Sequence, residues 1–186
     1  MLYIFLYISF FLFQQTKDNF LYWENIGNEK QNTILQSKEV FKNVRETYYG
    51  TFSPSDDVET FILLDSLSIF PYNEEIKALY FYVFNNILIT SDGALSEVMG
   101  YSCLNILISN SEYVIFYLQD KPKILEIYAT VLGYEFYFKE EGTSDLEYNY
   151  ADFKEIISRK IKREERLLET FNILCFEIED VMRKMD

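Results

Sequence analysis

The sequence predicts an all-α fold, on three observations. Apolar stretches between chain breakers are mostly longer than a strand of five or six residues. They open on Ser, Asp, Asn or Pro, the residues that start helices. Only 6 Gly and 3 Pro serve 186 residues, too few for the many turns of an all-β domain. Tyr80–Phe84, Tyr113–Tyr117 and Tyr134–Phe138 are aromatic and β-branched, which favours strands. Length and capping outweigh that preference, because only Asp92-Gly93 reads as a hairpin signal.

In chain order, Ser37 caps a first helix with Val40, Phe41, Val44 and Tyr48 on one face, stopped by Gly50. Ser55 or Asp56 caps a second, Asp56 and Glu59 having capping-box spacing. Its face is Phe61, Leu64, Leu67 and Ile69, and Pro71 ends it. Asn73 caps a third that runs to about Ile89, with Glu74 and Glu75 at the positive end of its dipole. That helix is apolar on nearly every side and belongs in the middle of the domain. Ser91-Asp92-Gly93 turns the chain into a fourth helix, through Leu95, Met99 and Leu107 to Ser109. Ser111 caps a short fifth, Tyr113 to Leu118, and Pro122 opens a sixth that runs to about Lys139. After the polar loop Glu140–Asp145, a long last element starts near Tyr150. Beyond Arg166, Phe171, Leu174, Ile178, Val181 and Met185 alternate steps of three and four, the pattern of a bundle seam.

Helix starts near 55, 73, 91 and 111 are about 18–20 residues apart, so two helices fill about 38 residues. With Ser-Asp-Gly at a turn and an apolar face on each helix, this spacing over about 55–139 resembles the HEAT and armadillo helical repeats. The resemblance implies a short stack of helical hairpins with a binding surface. An irregular helical bundle with a long C-terminal helix fits the same spacing.

Three segments are expected. Residues 1–15 read as a signal peptide or short membrane anchor, 16–36 as a linker or lead-in, and 37–186 as one α-helical domain. Leu2–Phe13 is apolar except for Ser9, long enough for a signal core and too short to span a bilayer. No Lys or Arg precedes it and no small-x-small cleavage site follows. Export, secreted or periplasmic, is the expected destination, or membrane anchoring if the leader stays on. Membrane contact is then confined to this segment.

The formal charge is −13, and the acidic excess lies before Tyr148. A surface of that sign has no counterions to release from nucleic acid, so nucleic acid is not an expected partner. The absence of histidine excludes His-based acid–base catalysis and nearly all zinc sites. No phosphate loop, Cys-x-x-Cys pair or nucleophile elbow is present, so no catalytic residue, cofactor or metal is assigned. Cys103 and Cys175 lie in apolar helical patterns, which suits buried thiols; a bridge between them stays open.

The candidate binding residues are Glu140, Glu141 and Asp145 on the polar loop, and Arg159, Lys160 and Arg163 on the only basic cluster. A solvated loop and a solvated, ion-paired helix face explain both without function. Tyrosines, 16 in all, could line a recognition groove. The expected function is that of a non-catalytic scaffold binding another protein. An acidic inhibitor or immunity-type protein masking a basic partner is the alternative. A carboxylate-dependent hydrolase, with two acids converging in an apolar cleft, is a second, although the clustered Asp56-Asp57 and Glu74-Glu75 lie in first helical turns, where capping explains them.

Overall fold

A computed structural model describes residues 20–142 and 147–185. Among them there is no strand, and the all-α expectation holds. After a 3₁₀ turn at Trp23–Asn25 come α1 (Asn28–Leu35), α2 (Lys42–Tyr48), α3 (Val58–Ser68), α4 (Glu74–Thr90) and α5 (Gly93–Ser109). Then follow α6 (Ser111–Leu118), α7 (Pro122–Glu140), α8 (Tyr150–Ile161) and α9 (Glu165–Met185). The long C-terminal helix is α9. The leader, residues 1–15, lies outside the described residues.

The termini of these helices follow from local chemistry. Asn73 caps α4 by accepting from the Glu75 and Ile76 amides. Pro122 occupies the first turn of α7, where its missing N–H costs nothing. Gly50, at φ 70°, ends α2: its N–H donates to the Thr47 carbonyl and that of Thr51 to the Glu46 carbonyl, a Schellman closure. Asn149 and Asp152 bond reciprocally to start α8.

From α3 onward the odd-numbered helices pack in chain order: α3 on α5, α5 on α7, α7 on α9. The even-numbered helices form the other side, with rings of α4 meeting rings of α6, and α6 packing on α8. The most extensive contact is between α7 and α9. Gly133 makes that approach possible, because a Cβ there would stand 2.6 Å from Val181 Cγ1 and 3.3 Å from the Ile178 carbonyl. Phe136, Phe153 and Phe171 seal α7, α8 and α9 together with rings 5.2 and 5.6 Å apart. Where α4 meets α7, the fully buried Tyr128 hydroxyl donates to Asn85 Oδ1 at 3.2 Å, and Asn85 Nδ2 donates to the Phe81 carbonyl at 2.9 Å. That pair satisfies two polar side chains inside the core.

Several sequence expectations need correction. The lead-in expected over 16–36 is packed structure from Phe20 on: Trp23, Ile26, Ile34 and Leu35 are buried and α1 is helical. Its N-cap is Gly27, which has no side chain to bond, so no capping signal marks it. The helix expected from Ser37 begins at Lys42; before it, Ser37 bonds the Glu39 and Val40 amides in a turn. Asp57, not Ser55 or Asp56, caps α3, accepting from the Thr60 amide at 2.8 Å. Ser111 opens α6 without capping it, and its hydroxyl donates back to the Leu107 carbonyl near the end of α5. The single element expected from Tyr150 is two helices. After Ile161 the run Lys162-Arg163-Glu164-Glu165-Arg166 offers no apolar side chain one turn on, so nothing holds the helix against the core and the chain bends. Cys103 and Cys175 are both free and buried. Burial pushes the Cys103 thiol up and that of Cys175 up to about 11.

Gly133→Ala should lower stability by about 1–3 kcal/mol in chemical denaturation, since the added methyl forces α7 and α9 apart. Lys123→Ala, on the exposed side of α7, should stay within about 0.5 kcal/mol. Tyr128→Phe should cost about 1–2 kcal/mol by leaving Asn85 Oδ1 buried without a donor.

Candidate protein-docking surface

Helix α3 is apolar on two opposite sides. Thr60, Leu63, Leu64 and Leu67 are buried against the neighbouring helices. Val58, Phe61 and Ile62 recur at helical spacing on the other side, with Asp65 among them, and face solvent together with Ile69 at the C-cap. Val58 is 70% and Ile69 77% exposed, and Tyr72, just beyond the helix, is fully exposed. The sequence reading assigned Phe61 and Ile69 to the core face with Leu64 and Leu67; the structure divides them. A large apolar stripe kept in water at a helix surface marks a contact face better than a scattered exposed leucine does.

Local bonds hold α3 in register. Ser55 Oγ lies 2.6 Å from Asp57 Oδ2, and the Ser55 amide donates to Thr60 Oγ1 at 2.9 Å. The Ser55 hydroxyl and the Thr60 amide keep the Asp57 carboxyl below the usual range, so the cap stays charged. At the other end, the Phe70 ring packs edge-on against Phe81 and Tyr113, anchoring the chain before it swings out to Tyr72.

The residues singled out from the sequence lie elsewhere. Glu140 and Glu141 stand exposed at the end of α7, and Asp145 lies outside the described residues. Arg159 forms an ion pair with Glu155 one turn back. Lys160 donates to the Ile108 carbonyl in the last turn of α5, a place where helix carbonyls lack partners. Arg163 is exposed at the bend between α8 and α9. At the start of α8 the Tyr150 ring packs on Phe136, and Arg159 lies nine residues further along that helix, about 14 Å.

Among the described tyrosines, Tyr80, Tyr113, Tyr117, Tyr128 and Tyr150 bury their rings in the core, whereas Tyr49, Tyr72, Tyr101 and Tyr134 are exposed. Tyr22 and Tyr113 clasp each other's backbone: the Tyr22 hydroxyl donates to the Tyr113 carbonyl at 3.1 Å, and the Tyr113 hydroxyl to the Leu21 carbonyl at 2.7 Å. Phe20, Phe81 and Tyr117 pack around them. Desolvation raises the Tyr22, Tyr113 and Tyr117 phenols, so they stay protonated donors. This long-range clasp carries no sequence signal, because nothing local links residue 22 to residue 113.

Several carboxylates, those of the Glu74-Glu75 pair among them, are engaged in structure. Glu74 pairs with Lys77 at 3.4 Å, and Glu75 with Lys30. Asp180 binds Lys184 at 2.6 Å and Arg183 at 3.2 Å. Glu179 accepts from Lys154 at 3.1 Å and from the Tyr150 hydroxyl at 2.9 Å, tying α8 to α9. Among the described residues, no three Cys, Asp or Glu side chains gather as a metal site would require. A shallow groove of about 640 Å³ runs along α9 between Leu168 and Phe176. No described helix is long and apolar enough to cross a membrane. No protein-family description matches the chain, nor does any curated protein or solved structure.

Lys154 first, and Tyr150 second, hold the Glu179 carboxyl below its ordinary value. The stability this lends is complete above the unfolded pKa of about 4.3 and fades as pH falls through the lower folded value. Glu179 is largely solvated, so the effect is a few tenths of a kcal/mol. Glu179→Gln should remove that part of the acid sensitivity below about pH 4 while leaving far-UV circular dichroism unchanged.

Proposed function

We propose that this chain is an exported or membrane-anchored helical scaffold without chemistry of its own, which binds another protein through the outer face of α3. The observation that carries the reading is the solvent-facing stripe of Val58, Phe61, Ile62 and Ile69. Its area would be removed from water by a partner, at about 25 cal/mol per Å² before the costs of association. The chain-order packing of α3, α5, α7 and α9 supports a HEAT-like stack. In such stacks a terminal helix keeps a polar outer face unless something covers it. Helix α3 heads the row and departs from that rule. The leader Leu2–Phe13 supports delivery to the cell surface or beyond.

A photo-crosslinking amino acid placed at Ile62 in the native host tests this. A discrete adduct with one protein is expected at position 62 and none at Lys123 on α7. Absence of an adduct at position 62, or a reproducible turnover abolished by substituting one carboxylate pair, contradicts the reading.

A further inference from the structure

We infer that the partner presents a basic amphipathic helix, whose apolar side covers the outer stripe of α3 and whose lysines or arginines meet the carboxylates around it. The inference rests on the docking role proposed for α3 and names the chemistry of what docks. Between Arg45 and Lys77 the chain carries seven carboxylates, namely Glu46, Asp56, Asp57, Glu59, Asp65, Glu74 and Glu75, and no lysine or arginine. The whole apolar stripe and Tyr72 fall inside that stretch. Glu46, Glu74 and Glu75 are matched by Lys42, Lys77 and Lys30, and Asp57 is bound as a cap. Asp56, Glu59 and Asp65 are exposed, and among the described residues none pairs with a cation. Asp65 sits within the stripe, Glu59 beside its first turn, and Asp56 at its N-terminal end. Like charges there oppose an acidic or nucleic-acid partner, whereas opposite charges at a rim set register and speed encounter.

A second copy of the chain fits less well. The only basic cluster, Arg159 to Arg166, lies at the α8–α9 bend and contributes Ile161 as its sole apolar side chain, which is fully buried. It could neutralise the carboxylates but has nothing to lay on Phe61 and Ile62. The size of the surface also bounds the affinity. Eleven residues of α3 extend about 16 Å, room for roughly three turns of a partner helix. That places the contact at the small end of specific interfaces, with dissociation constants of order micromolar.

The full chain is titrated with three synthetic peptides followed by fluorescence anisotropy. One is a lysine–leucine helix with its leucines on one face; one has the same leucine face with glutamate for lysine; one is the lysine–leucine composition scrambled so that no face forms. The first should bind with Kd of order 10 µM, weakening several-fold as salt rises from roughly 0.05 to 0.5 M, and the other two at least about tenfold more weakly. Phe61→Ser with Ile62→Ser should weaken the first peptide about tenfold or more, and both sites are exposed, so the thermal midpoint should hold. Asp56→Asn with Glu59→Gln and Asp65→Asn should weaken it several-fold and flatten the salt dependence. Equal binding of the glutamate peptide, or indifference of both variants, overturns the inference. So does a concentration-dependent dimer of the wild-type chain that Phe61→Ser with Ile62→Ser dissolves, since a second copy then owns the stripe. If Ile62 captures a partner by cross-linking but the lysine peptide is ignored, the docking role survives and the basic-helix assignment fails.

Discussion

Everything in this fold depends on how closely α7 can lie against α9. A glycine at 133 removes the one Cβ that would hold the two apart, and three phenylalanines from α7, α8 and α9 then close the gap. Helix α7 also receives α5 on another side and binds α4 through the Tyr128–Asn85 pair. It is the element most of the others use as a floor. Burial at this junction is what turns helices of modest individual stability into a cooperative body.

The N-terminal end is attached by different means. Phe20 to Trp23 are held by rings and by reciprocal tyrosine-to-carbonyl bonds, and Arg45 donates to the Ser37 carbonyl at 2.9 Å to fix the turn after α1. Tyr80 does the same for the start of α2, its hydroxyl accepting from the Phe41 amide at 3.2 Å. Tyrosine serves here as an apolar ring with a polar tip that satisfies loop backbone. This explains why a chain so rich in tyrosine needs few turn residues: side chains, rather than glycine and proline, pin its irregular segments.

Helix identity was legible where the signal is local. Asn73, Pro122, Gly50 and the Asp92-Gly93 turn each act within a few residues, and each marks an observed boundary. What was not legible depends on contacts made across the chain. In the sequence α3 reads as one apolar face of Phe61, Leu64, Leu67 and Ile69, and only its neighbours decide that Leu63 and Leu67 go inward while Phe61 and Ile69 stay out. The exposed apolar stripe was missed for that reason, although an α-helix with apolar residues at opposite phases is itself a warning that one side lacks a place in the core. The basic cluster was visible in sequence, but the destination of Lys160 on the α5 carbonyl end was not. The break at residue 162 could have been read from five consecutive polar residues that interrupt the seam.

Native-state hydrogen exchange measures the central claim most directly, because it reports the opening free energy of each helix separately. The slowest amides should lie in α7 and α9, exchanging only through global unfolding. Those of α3, with one side in water, should exchange through smaller openings. Protection greater in α3 than in α7 would contradict a structure built outward from the α7–α9 contact.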